Sequence, residues 1–255
     1  MTPRLDPAFL AAPLAHRALH DVADGRPENS RAAITAAISH GYGIEIDVQL
    51  TADNVAVVFH DYALERLAEG SGPVRARAAS ELGAIPLRGG SEGIPDLPEV
   101  LALVAGRVPL LIEIKDQDGA MGDQIGPLEA ATAAALDGYT GPVAIMSFNP
   151  HAVARMAELC PDIPRGLVTS AYDPTSWPLS KATCDRLREI PDFDRVGASF
   201  ISHEAADLPR RRVSDLKAQG ANILCWTIRS PEAEAEARKI AQNVTFEGYL
   251  AAHPG

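Results

Sequence analysis

The stretch Gly43-Ile44-Glu45-Ile46-Asp47-Val48-Gln49-Leu50-Thr51-Ala52-Asp53-Asn54-Val55-Ala56-Val57-Val58-Phe59-His60 decides the fold. In its first half side chains alternate between two faces of a strand, so Glu45 and Asp47 point one way while Ile44, Ile46 and Val48 point the other. Its second half is a β-branched and aromatic run that ends in a histidine. The linker Thr51-Ala52-Asp53-Asn54 is too short for the crossover that parallel strands need, so the two runs form a hairpin. A turn centred on Asp53-Asn54 sets His60 roughly opposite Asp47, side by side on neighbouring strands.

Outward from the hairpin, strands are expected at 14–18, 109–115, 142–147, 165–170, 196–202, 221–228 and 248–252. Helices are expected at 30–40, 97–105, 128–136, 151–159, 212–219 and 231–242, several opened by a capping residue or a proline, as in Asn149-Pro150 and Ser230-Pro231. Such alternation implies a parallel sheet, either open or closed. With 43–50 as a barrel strand and 56–60 as its return arm, eight barrel strands remain, the number a TIM-type (β/α)8 barrel requires. Residues 62–93, rich in Gly, Ser and Arg, are expected to form a small insertion on the barrel rim of a single catalytic domain spanning 1–255.

The composition is that of a soluble α/β protein, and a net charge of −11 argues against nucleic acid or an anionic membrane as partner. A small anionic ligand stays compatible with that charge if a local cationic pocket receives it. Cys160, Cys184 and Cys225 lack metal-site spacing and fit reduced thiols. The short apolar run 9–15 leads straight into His16, so no signal peptide is expected, and no run is long enough to span a bilayer. These readings predict a cytoplasmic protein without stable membrane association, and leave a homo-oligomer open.

Glu113-Ile114-Lys115 repeats the acidic alternation at the end of another strand. A lone acid there is usually solvated or ion-paired. Three inward carboxylates, Glu45, Asp47 and Glu113, at the strand ends where barrel enzymes place their active sites, instead call for a divalent cation. All-oxygen ligation selects Mg²⁺ or Ca²⁺ over zinc. His16-Arg17 ends the first strand and His60-Asp61 ends the return arm. Two histidines beside an acidic cluster are suited to general acid–base catalysis near neutral pH.

These motifs, taken in order, make the chain resemble the glycerophosphodiester phosphodiesterase family. Ala15-His16-Arg17 and Pro27-Glu28-Asn29 are similar to its first motif, Glu45 to Thr51 with Val57-Val58-Phe59-His60-Asp61 to its second, and Ile112-Glu113-Ile114-Lys115 to its third. Ser147-Phe148 and Cys225-Trp226-Thr227 occupy the places of its later active-site strands. The resemblance implies a metal held by Glu45, Asp47 and Glu113, with His16 and His60 as acid and base. It also implies Arg17, Lys115 and Asn29 on the phosphate, with Phe148 and Trp226 as walls. The implied reaction hydrolyses a small-molecule glycerophosphodiester to glycerol 3-phosphate and an alcohol, with His16 as base and His60 as acid. Three carboxylates, a divalent cation, Arg17 and Lys115 together carry about +1, which suits a singly charged diester. A barrel phospholipase D-like enzyme or lyase acting on a lipid head group, and a non-catalytic phosphate-binding relative, are the alternatives.

Three features depart from the family's pattern: Ala18 where Gly is usual, a longer segment 19–26 carrying His20 and Arg26, and Ala251-Ala252-His253-Pro254 where Thr-Asp or Ser-Asp is common. Arg17 follows His16 directly and must turn inward as the strand ends. Glu28 is expected to cap the helix that follows it.

Overall fold

The computed structural model describes residues 2–254. Its strands are β1 (Leu14–Ala15), β2 (Gly43–Leu50), β3 (Ala56–Val58), β4 (Leu110–Ile114), β5 (Val143–Ser147), β6 (Arg165–Thr169), β7 (Phe200–Glu204), β8 (Asn222–Ile228) and β9 (Asn243–Phe246). β1 pairs in parallel with both β2 and β9, which closes β1-β2-β4-β5-β6-β7-β8-β9 into an eight-stranded parallel barrel. β3 lies outside the ring, antiparallel to β2. Helices follow the strands and cover the barrel, making it a TIM barrel.

Two apolar layers hold it together. Inside the ring, Leu14, Leu111, Ala144, Met146, Val168, Phe200 and Leu224 fill the barrel, with Phe9 of the short helix Ala8–Ala11 closing its floor. Gly166 makes this filling possible, because a Cβ there would lie 2.4 Å from the Phe200 ring. Outside the ring, the opposite strand faces pack against the helices, as Ile44, Ile46, Val48, Ile112 and Ile114 do. A third cluster joins Val57 and Phe59 of the return arm to Leu64, Ala68, Val74, Leu82, Leu87 and Ile94, so segment 62–93 carries its own small core.

Several expected boundaries move. The last barrel strand is Asn243–Phe246, and 248–252 is irregular. The helix before it stops at Ala237, not 242, freeing the chain for that strand. β7 begins only at Phe200, because Gly197 takes a left-handed backbone and the Ala198 N–H donates to the Phe193 carbonyl. The helix Lys181–Arg188 lies outside the expected helices, since it carries few apolar residues and buries only Cys184 and Leu187.

The hairpin register also shifts by one residue. Val48 pairs with Val58, so Phe59, not His60, stands opposite Asp47, and the Phe59 N–H donates to the Asp47 carbonyl at 3.0 Å. The physical cause lies in the turn. Thr51 N–H bonds to the Val55 carbonyl, leaving the three-residue loop Ala52-Asp53-Asn54 with Asn54 at φ 60°. Asparagine tolerates that left-handed position, and a three-residue loop pairs different partners from a four-residue one.

Candidate active site

The carboxylates sit where β2 and β4 end side by side. Asp47 pairs in register with Glu113, and Glu45 lies one inward step below Asp47. Carboxylate oxygens of Glu45, Asp47 and Glu113 lie within 4.8 Å of one another, and all three residues are buried. Burial and the neighbouring Asp47 and Glu113 charges push the Glu45 carboxyl well above its usual range. Burial opposes ionisation of Asp47 too, but Lys115, His60 and Arg17 outweigh it and hold that carboxyl below its usual range. The Lys115 ammonium reaches Asp47 Oδ1 at 2.9 Å and Glu113 Oε1 at 2.7 Å. Lys115 contacts two of the three acids and Glu45 has no ion-pair partner among the described residues, an imbalance that a divalent cation would remove. Beside Asp47, Asn29 Oδ1 is buried with no hydrogen-bond partner. The oxygen-only donors and this orphaned oxygen fit a hard divalent cation.

The first motif solves its own geometric problem by leaving the strand. β1 ends at Ala15, and Arg17 and Ala18 take left-handed backbone at φ 51° and 64°. This turn brings both His16 and Arg17 to one pocket instead of opposite faces. It is held by the Arg17 N–H donating to Glu45 Oε2 at 2.9 Å and the Ala18 N–H donating to the Glu45 carbonyl at 3.0 Å. The Arg17 guanidinium pairs with Glu28 Oε2 at 2.5 Å and stands 3.8 Å from Asp47 Oδ2. Glu28 is thus an ion-pair partner, shared with Arg66 at 2.6 Å, and the helix Arg31–Ser39 is capped by Ser30 instead. Asn29 is 1% exposed and its amide donates to Asp47 Oδ2 at 3.0 Å, which places it behind the carboxylate and not on the pocket wall.

His16, Arg17, Glu45, Asp47, His60, Glu113, Lys115, Phe148 and Trp226 surround one cavity, about 180 Å³ in volume, at the C-terminal end of the barrel. His60 reaches it although Phe59 holds the register position, because β3 ends at Val58 and the chain has left strand alternation by His60. Its Nδ1 meets Asp61 Oδ1 at 2.7 Å, and Arg66 grips Asp61 at 2.6 and 2.7 Å. Phe148 and Trp226 pack edge-to-face at 5.6 Å, and the Trp226 indole donates to the Ser202 carbonyl at 3.0 Å.

Two site residues escaped the sequence reading. Glu247 follows β9 directly, and its Oε2 lies 2.5 Å from His16 Nδ1. Arg229, beyond β8 on the pocket wall, reaches Glu247 Oε1 at 2.7 Å. A signal existed: an acid at a strand's C-terminal end is the criterion that found Glu45, Asp47 and Glu113. Placing the last strand at 248–252 hid it. The His16 hydrogen bond is the main reason the Glu247 carboxyl lies well below its usual range, while burial lowers the His16 pKa.

The glycerophosphoryl diester phosphodiesterase family model matches residues 16–246. Among curated relatives, YhdW of Bacillus subtilis (strain 168), named as a candidate glycerophosphodiester phosphodiesterase, is 30% identical over 234 residues, covering 88% of each chain. A phosphodiesterase from Oleispira antarctica, solved in complex with the product sn-glycerol-3-phosphate, superposes with a TM-score of 0.76 at 25% identity over 94% of each chain. A glycerophosphodiester phosphodiesterase from Parabacteroides distasonis shares the fold at a TM-score of 0.73, with 22% identity over 92% of each chain. Barrel, acidic cluster and ordered motifs agree with these matches, and the chain belongs to the glycerophosphoryl diester phosphodiesterase family.

Proposed function

We propose that this protein hydrolyses small glycerophosphodiesters to glycerol 3-phosphate and an alcohol, with His16 as general base, His60 as general acid, and a divalent cation held by Glu45, Asp47 and Glu113. The observation that carries this reading is that two histidines line one pocket together with a cluster of three buried carboxylates. The product-bound Oleispira relative supports the glycerol 3-phosphate half of the substrate.

In this reading Arg17 and Lys115 bind the phosphoryl oxygens, and the chemistry a bound cation supplies is further positive charge where the transition state builds negative charge. His16, whose protonation burial disfavours, accepts a proton as the attacking oxygen bonds to phosphorus; that oxygen belongs to water, or to the neighbouring glycerol hydroxyl with water then opening the cyclic phosphate. The bond from phosphorus to the departing alcohol breaks, and His60 protonates that oxygen. Phe148 and Trp226 exclude water beside the reacting centre and give the substrate's carbon skeleton an apolar surface. The domain acts as a single catalytic unit, with 62–93 buttressing the hairpin that carries His60.

The test is turnover of glycerophosphocholine, -ethanolamine, -glycerol and -inositol with glycerol 3-phosphate as readout. His16→Ala and His60→Ala are each expected to lower kcat by roughly 10²-fold or more while the thermal unfolding curve stays unchanged. Wild-type rates in either variant would refute the acid–base assignment. EDTA is expected to silence the enzyme and Mg²⁺ or Ca²⁺ to restore it; EDTA-resistant activity would refute the metal site. Among the described residues no helix is long and apolar enough to cross a membrane, in keeping with a small soluble substrate.

A further inference from the structure

We infer that Glu247 is the positioning residue that holds His16 as its Nδ1–H tautomer, leaving the Nε2 lone pair free toward the reacting hydroxyl. This rests on the reading of His16 as the base and adds what makes it one. Glu247 lies outside the motifs that identified the site and, with the last strand ending at Phe246, takes the strand-end place of the acid in the family's Thr-Asp or Ser-Asp pair.

The geometry runs in one direction. Glu247 follows the last barrel strand, and its side chain crosses to the first, where the His16 N–H donates to the Phe246 carbonyl at 2.9 Å. The strand pairing of Ala15 with Phe246 thus sets both ends of the contact. Arg229 occupies Glu247 Oε1, at 2.8 Å from Nε and 2.7 Å from Nη2. His16 Nδ1 occupies Oε2 at 2.5 Å, and His20 Nε2 stands 3.6 Å from the same oxygen, beyond hydrogen-bond reach. Among the described residues His16, His20 and Arg229 are the basic side chains paired with the Glu247 carboxylate, and Asp21, Arg26 and Tyr249 line the cavity beside it. A carboxylate only accepts, so the proton on His16 must sit on Nδ1. Nε2 then has no protein partner among the described residues, on a ring that lines the pocket. Arg229 balances the Glu247 charge, so the carboxylate orients His16 without having to convert it to the cation. The arrangement works as the carboxylate of a catalytic triad does: it fixes tautomer and direction, and takes no proton itself.

Glu247→Gln has a definite consequence. Arg229 donates to Oε1, so the glutamine carbonyl stays with Arg229 and its amide NH₂ turns toward His16. That NH₂ needs an acceptor, which moves the His16 proton from Nδ1 to Nε2 and removes the base. The experiment is ¹⁵N-histidine NMR of the full chain with Mg²⁺, His16 being assigned with His16→Gln, together with steady-state kinetics on glycerophosphoglycerol. The expected result is a bare Nε2 in the unaltered protein and a protonated Nε2 in Glu247→Gln. With it, kcat falls roughly 10²-fold while KM stays within about threefold, and Glu247→Asp recovers part of the loss. Nε2 protonated in the unaltered protein overturns the inference, and this measurement stands even if Glu247→Gln does not fold. Unchanged tautomer and kcat in Glu247→Gln overturn it as well. An inverted tautomer with unchanged kcat upholds the positioning by Glu247 and overturns instead the role of His16 as base.

Discussion

At Ala18 three small energies compete. Its left-handed φ of 64° costs an alanine about 1–2 kcal/mol. Against this, its buried methyl contributes about 0.8 kcal/mol, and glycine would add about 0.5–1 kcal/mol of unfolded-state entropy. The sums nearly cancel, so Ala18→Gly is expected to change stability by less than about 0.5 kcal/mol in urea unfolding. That balance explains how alanine stands where the family usually carries glycine. At Glu45 one energy dominates. Its carboxyl, raised by burial and by Asp47 and Glu113, holds a proton to higher pH than a free glutamate. A cation needs the ionised form, so Mg²⁺ affinity is expected to rise with pH through the Glu45 pKa and binding to release a proton. Titration calorimetry in buffers of different ionisation enthalpy measures that release; affinity independent of pH, with no proton released, contradicts it.

At the scale of elements, the β2–β3 hairpin shows how a local rule and a packing rule divide the work. Alternation from Gly43 to Leu50 was legible, and the structure places Glu45 and Asp47 on one inward face as period two demands. The register was not legible, because loops of three and four residues are both compatible with Thr51-Ala52-Asp53-Asn54, and one residue of slip exchanges the faces. Phe59 settles it by filling the small core of segment 62–93. Phe59→Ala is therefore expected to cost about 3–5 kcal/mol in chemical denaturation. Assayed where the variant is still folded, it should also lower kcat, since His60 follows Phe59 in the chain. A large loss of stability with full kcat would show that His60 is held by its Asp61 and Gln49 contacts alone.

For the whole molecule, barrel closure is the step that builds the site. Asn243 starts β9 at the barrel floor, and its buried amide donates to the Phe9 and Ala12 carbonyls at 2.7 Å each. Asn243→Ala leaves two carbonyls unpaired and is expected to cost about 2–4 kcal/mol while kcat of the folded enzyme stays near normal. The catalytic end lies at the other face, so urea unfolding and kinetics should separate cleanly. The sequence by itself determined the class of barrel, because strand–helix alternation and the inward acids are local patterns with periods that backbone geometry imposes. It also carried the five residues of the two histidines and three carboxylates, each next to or within a strand with strong periodicity. Only the tertiary structure decided the left-handed turn that aims Arg17, the hairpin register, and the last strand at Asn243–Phe246. The contact of His16 with Glu247 belongs there too. Its partners stand 231 residues apart, and only closure of the last strand against the first brings them within a hydrogen bond.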